Sequence, residues 1–139
     1  MKIATIIIRT LMGLLFLFAS ITYFFKLIIP PPPEGAMKIF SDGLAASIYI
    51  LPTVKAIELL CGLAFVLGLF VPLATILTAP IIINIVLTHL FLDPKGLPLA
   101  LFLVFANAFV AYAHRASFKP LFKAQNNQAL NALEKRDRF

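Results

Sequence analysis

Glu58 is the only charged side chain between Lys55 and Asp93, and the residues around it are overwhelmingly apolar. A carboxylate in such surroundings goes neutral unless a cation compensates it, and Lys26 and Lys55 are the cations that the order of elements brings to the same end. His89 falls near the close of the same uncharged stretch, and a carboxylate beside an imidazole can relay protons. Asn84 and Thr88, four residues apart, share a helix face next to it. The sequence therefore predicts a polar cluster of Lys26, Lys55, Glu58, Asn84, Thr88 and His89, opening toward loops that carry Glu34, Asp42 and Asp93. In it Glu58 and His89 handle protons, and Lys26, Lys55, Asn84 and Thr88 bind a ligand.

Plainer roles stand beside these. Lys55 and Glu58 suit an i,i+3 ion pair, Lys26 can snorkel to lipid headgroups, and His89 can serve as an interfacial hydrogen-bonding group. Asn84 and Asn107 are of the type that glues membrane helices together. No metal site is expected. Cys61 is a lone cysteine in an apolar run, which excludes an intrachain disulfide, a C-x-x-C pair and a cysteine-based metal centre. The chain has no phosphate-binding loop, no H-E-x-x-H, no nucleophile elbow and no His pair placed for haem.

The elements that must position this cluster follow from composition. Of 139 residues 61% are hydrophobic and 13% charged, too few polar groups to cover a soluble fold. With a mean hydropathy of +0.98, the natural solvent is the bilayer. At about 20 residues per crossing the chain accommodates four spans and no second domain. The first is expected over residues 3–28, ending before the proline run Pro30 to Pro33, which cannot continue a helix. A cleaved signal peptide competes here, but the apolar run is long and Leu17-Phe18-Ala19 is a poor cleavage site. The uncharged stretch after Glu58 is too long for one helix, and Pro72 suits a first turn, so spans are expected over residues 53–70 and 72–92. Pro80 should kink the latter and free a carbonyl. Asp93-Pro94-Lys95-Gly96 is a turn, and the fourth span covers 97–114. Between the first two spans, Met37, Phe40, Leu44, Ile48 and Leu51 recur at helical spacing over a stretch short for a crossing. A short interfacial helix is expected, with a crossing as the alternative. The fold class is thus an all-α integral membrane four-helix bundle, with residues 1–117 as the membrane domain and 118–139 as a basic cytoplasmic tail bearing a weak amphipathic face (Leu121, Phe122, Leu130, Leu133).

Lys and Arg set the orientation. Lys2, Arg9, Arg115, Lys119, Lys123, Lys135, Arg136 and Arg138 fall on the side of the termini, against Lys26, Lys38, Lys55 and Lys95 on the other, so both termini are expected in the cytoplasm. The net charge of +6 and pI near 9.8 follow from this flanking pattern and do not make a nucleic-acid surface. Arg9 is expected to anchor the first span at lipid, or to pair with a phospholipid headgroup or with carbonyls freed at Pro80. Gly13, Gly62, Ala64 and Gly68 are small positions, and Ala64-x-x-x-Gly68 has the spacing of a close helix approach.

The order of these pieces resembles the DoxX family of small four-helix bacterial membrane proteins. The resemblance rests on Arg9-x-x-x-Gly13 with Lys26-Leu27, on Glu58-x-x-x-Gly62 with Gly68, and on Pro80-Ile-Ile-Ile-Asn84 followed by His89-Leu-Phe-Leu-Asp93-Pro94-x-Gly96, over roughly the first 120 residues. It implies a bacterial cytoplasmic membrane protein associated with redox systems. A related DoxD-type protein is a subunit of a thiosulfate:quinone oxidoreductase, and DoxX itself is linked to a membrane oxidoreductase complex in oxidative-stress defence. The chain brings no cofactor ligand of its own. The expected function is to bind a small lipophile or quinone, with membrane lipid, oxidoreductase subunits or further copies of itself as partners, and at most to act as a subunit of an enzyme. The alternative is a non-catalytic scaffold or assembly subunit, whose polar cluster fixes packing; a small transporter, formed only as an oligomer, is third.

Overall fold

The computed structural model describes residues 1–122 and 134–136. Four helices are long and apolar enough to cross a membrane, as expected: α1 (Lys2–Phe25), α3 (Ile50–Leu67), α4 (Val71–Phe91) and α5 (Leu97–Ala113), the last entered through a short 3-10 turn at Pro94–Gly96. Between α1 and α3 lies α2 (Gly35–Ala46), and α6 (Arg115–Phe118) follows α5. Among the described residues there is no strand. At about 1.5 Å per residue α2 reaches little more than half of the roughly 30 Å hydrocarbon core. It packs lightly against α3 and buries none of its residues, so it is a short helix outside the spans.

α1 packs on α3 and α5, and α4 on α3 and α5, which closes a ring of four. Its core is a thin thread of Met12, Phe16, Phe65, Ile82, Leu103 and Val110. Only 22% to 28% of each span's most apolar window is buried, and the outward faces carry Ile7, Leu14, Phe18, Leu73, Ile83 and Phe105. Such faces are stable only against lipid.

The small residues that matter for packing are not the expected pair. Gly13 and Gly62 meet where α1 crosses α3: a Cβ on Gly13 would lie 2.9 Å from the Gly62 carbonyl oxygen, and one on Gly62 3.0 Å from that of Gly13. Gly68 instead ends α3 in the left-handed conformation (φ +75°), its N–H donating to the Ala64 carbonyl, so Ala64-x-x-x-Gly68 is a helix terminus. Span boundaries shift modestly. α1 stops at Phe25 because Lys26 turns left-handed and Leu27 N–H bonds back to the Thr22 carbonyl, which removes residues 26–28 from the span. α3 starts at Ile50, since Pro52 is accommodated within the first turn. α4 continues through Pro80. Most of the tail expected over 118–139, including Leu130 and Leu133, lies outside the described residues.

Candidate functional site

Helical periodicity decides which polar residues enter the bundle. On α3 the buried stripe runs Glu58, Cys61, Gly62, Phe65, so Glu58 occupies one register of the face that packs on α1. It is 3% exposed and lies about 12 Å along the helix from Ile50. Lys55 precedes it by three residues, and its ammonium donates to Glu58 Oε2 at 2.7 Å while remaining 20% exposed. Among the described residues Glu58 has no other hydrogen-bond partner, and the residue borders open space within the bundle.

That space is a pair of cavities. One, of about 340 Å³, lies between α3 and α4 under α2, with Met37 and Phe40 as its cover and Asn84 and Thr88 on its wall. The other, of about 280 Å³, lies among α1, α4 and α5 and is walled by Phe16, Ala19, Leu99 and Leu103. Lys55, Glu58, Ile85 and His89 line both and form the partition between them. Small-molecule sites run from roughly 300 Å³ upward, with apolar walls and a few convergent polar groups.

His89 continues the interior stripe Thr78, Ile82, Ile85 of α4. Its Nδ1 is 2.9 Å from the Asp93 carbonyl oxygen, so Nδ1–H is the donor and Nε2 is left free. The ring rests on Gly96, where any Cβ would collide with it; the Asp93–Gly96 turn thus holds the imidazole from two sides. Asp93 in turn accepts from the Lys95 N–H at 3.4 Å. Glu58 and His89 share walls and make no direct hydrogen bond.

The structure therefore brings together Lys55, Glu58, Asn84, Thr88 and His89, and leaves out Lys26. Its left-handed turn after α1 carries it to the exposed surface, away from both cavities. Asn84 lines the outer cavity but lies off the interior stripe and is exposed, with no interhelical hydrogen bond; Thr88 Oγ1 donates only to the Asn84 backbone carbonyl. The interhelical role falls to Asn107, whose Nδ2 donates to the Thr75 carbonyl and whose Oδ1 accepts from Thr78 Oγ1, joining α5 to α4. Gly96 and the α2 cover were not legible as parts of the site, since both depend on contacts between distant elements. Among the described residues no group of three or more His, Cys, Asp and Glu side chains could hold a metal ion.

A four-helix membrane bundle with a buried, ion-paired carboxylate between two cavities is the class that this architecture defines. The chain belongs to the DoxX family, whose sequence model matches residues 4–92, from α1 to the end of α4. The match stops before the Asp93–Gly96 turn, short of the extent over which the sequence resembles the family. No curated protein and no solved structure is significantly similar to the chain.

Proposed function

We infer that this membrane protein binds a small lipophile with a hydrogen-bonding head, a quinone being the class that fits, and that it serves a membrane redox or oxidative-stress system with both termini in the cytoplasm of a bacterium. The observation that carries this reading is the placement of Glu58, whose one hydrogen-bond partner among the described residues is Lys55, on two adjoining cavities. The apolar compartment beside α1 suits a ring or an isoprenoid segment, and the compartment under α2 gives a polar head access to Lys55, Asn84 and Thr88. A bound quinone would supply the two-electron chemistry, with electrons from a partner oxidoreductase subunit. The chain's residues bind and move protons. The Lys55 ammonium donates to a carbonyl oxygen, and the Glu58 carboxylate accepts from a hydroxyl of the same head. His89 turns Nε2 to the ligand, because Nδ1–H is committed to the Asp93 carbonyl.

The test is titration of a short-chain quinone into the detergent-solubilised full chain. Glu58→Gln keeps the shape and removes the charge, and it should weaken binding about tenfold, the loss of one charge-assisted hydrogen bond. Gly96→Ala displaces the His89 ring and should weaken it severalfold with little change in the melting temperature. Wild-type protein that takes up no quinone, or Glu58→Gln that binds as well as wild type, overturns the reading.

A further inference from the structure

The opposite end of the bundle, remote from Glu58, holds a second arrangement that the proposed function does not use. Arg9 lies about 10 Å into α1, below the depth at which a basic residue simply reaches headgroups at the helix start. Arg9 is partly buried, and its guanidinium forms no hydrogen bond or ion pair among the described residues. It is seated on Gly68: a Cβ there would run into Nη1 and lie 2.9 Å from Cζ. The left-handed glycine that ends α3 thus leaves room for the planar group.

The guanidinium opens on a cavity of about 360 Å³ lined also by Lys2, Thr5, Val71 and His114. The His114 Nδ1–H donates to the Val110 carbonyl at 3.0 Å, which leaves Nε2 free. No carboxylate of a described residue lines this space; Glu58 pairs with Lys55, Asp42 with Lys38, and Glu34 and Asp93 lie at the other end. A cavity lined by an arginine, a lysine, a histidine and, among the described residues, no acid suits an anion. The flat fork of a guanidinium matches two oxygens of one phosphate, which a lysine cannot do.

We propose that Arg9, supported by Lys2 and His114, binds a phosphate group at the end of the bundle that carries the start of α1 and the end of α5. Two sources share this chemistry, the headgroup of an anionic phospholipid and a free phosphate. The cavity, lined also by Ile6 and Ala113, is open at the bundle surface, so either can reach it.

Native mass spectrometry of the detergent-solubilised full chain distinguishes them, with dioleoyl-phosphatidylglycerol, dioleoyl-phosphatidylcholine and inorganic phosphate as probes. A phosphatidylglycerol adduct about tenfold more abundant than the phosphatidylcholine adduct, and lost in Arg9→Gln, supports the lipid source. An inorganic phosphate adduct that displaces the lipid supports the free anion. Arg9→Lys keeps the charge without the fork and should bind severalfold more weakly, which covers the case of an Arg9→Gln chain that does not fold. Lys38→Gln removes one positive charge at the other end and should change nothing. Wild-type protein that prefers neither anion, or Arg9→Gln and Arg9→Lys chains that bind as wild type does, overturns the proposal.

Discussion

Replacing Lys55 by Met lowers the stability of the bundle by about 3 kcal/mol, and replacing Glu58 by Leu in the same chain restores most of it. The asymmetry follows from burial. Glu58 is 3% exposed and its one hydrogen bond among the described residues is with Lys55, so losing the ammonium strands a carboxylate in apolar surroundings. Breaking a buried pair from one side costs about 3–5 kcal/mol, and the lower end applies here because Lys55 is a fifth exposed and already partly solvated. Removing both charges leaves nothing stranded and lets apolar atoms fill the partition, an exchange that is often neutral or favourable. Glu58→Gln alone costs only about 1 kcal/mol, since the long Lys55 stem can carry its charge outward. Equilibrium unfolding in mixed micelles resolves the series. A Lys55→Met chain as stable as wild type would contradict the buried-pair account.

The second large effect is expected at the crossing of α1 and α3. Gly13→Val destabilises by about 3 kcal/mol, because its Cβ alone would press on the Gly62 carbonyl oxygen and on Phe65 Cβ, each at 2.9 Å. Neither is the free end of a flexible side chain, so relief requires α1 and α3 to move apart. Phe16, stacked on Phe65 with ring centroids 6.4 Å apart, then loses its partner and the apolar cavity loses its α1 wall. The chain's single cysteine reports the change: Cys61 is 3% exposed on the same α3 stripe and should be inert to maleimide in the native protein. In Gly13→Val it should label readily in the absence of denaturant. Continued protection of Cys61 would show that the glycine contact does not hold the two helices.

Much of this architecture is written in the positions of charges and prolines. Pro72 and the Asp93–Gly96 turn cut the uncharged stretch at the observed boundaries, because proline geometry acts locally. Glu58 and His89 were legible as candidates because each is an ionisable group within an apolar span, and the structure sets each on the interior stripe of its helix. Rotation of one helix against another was not. Asn84 has the composition of helix glue but lies exposed on the wall of the cavity under α2 without an interhelical bond, while Asn107 bridges α4 and α5, a difference set by packing. Lys26 was assigned to the cluster from its position in the sequence, and one left-handed residue redirects it. Gly68 reads as a packing residue at its spacing from Ala64, whereas its φ makes it a helix terminus and a seat for Arg9. In each case the deciding quantity is a tertiary angle or a single backbone torsion, to which spacing is blind.

The most direct test of the central claim is mass-spectrometric identification of what the two cavities around Glu58 retain when the protein is purified from membranes in mild detergent. The account predicts a lipophile bearing a quinone-like carbonyl head, close to one per chain, and its loss from Glu58→Gln chains that melt within a few degrees of wild type. Extracts that hold only bulk phospholipid in both proteins, or the same lipophile undiminished in Glu58→Gln, would contradict it.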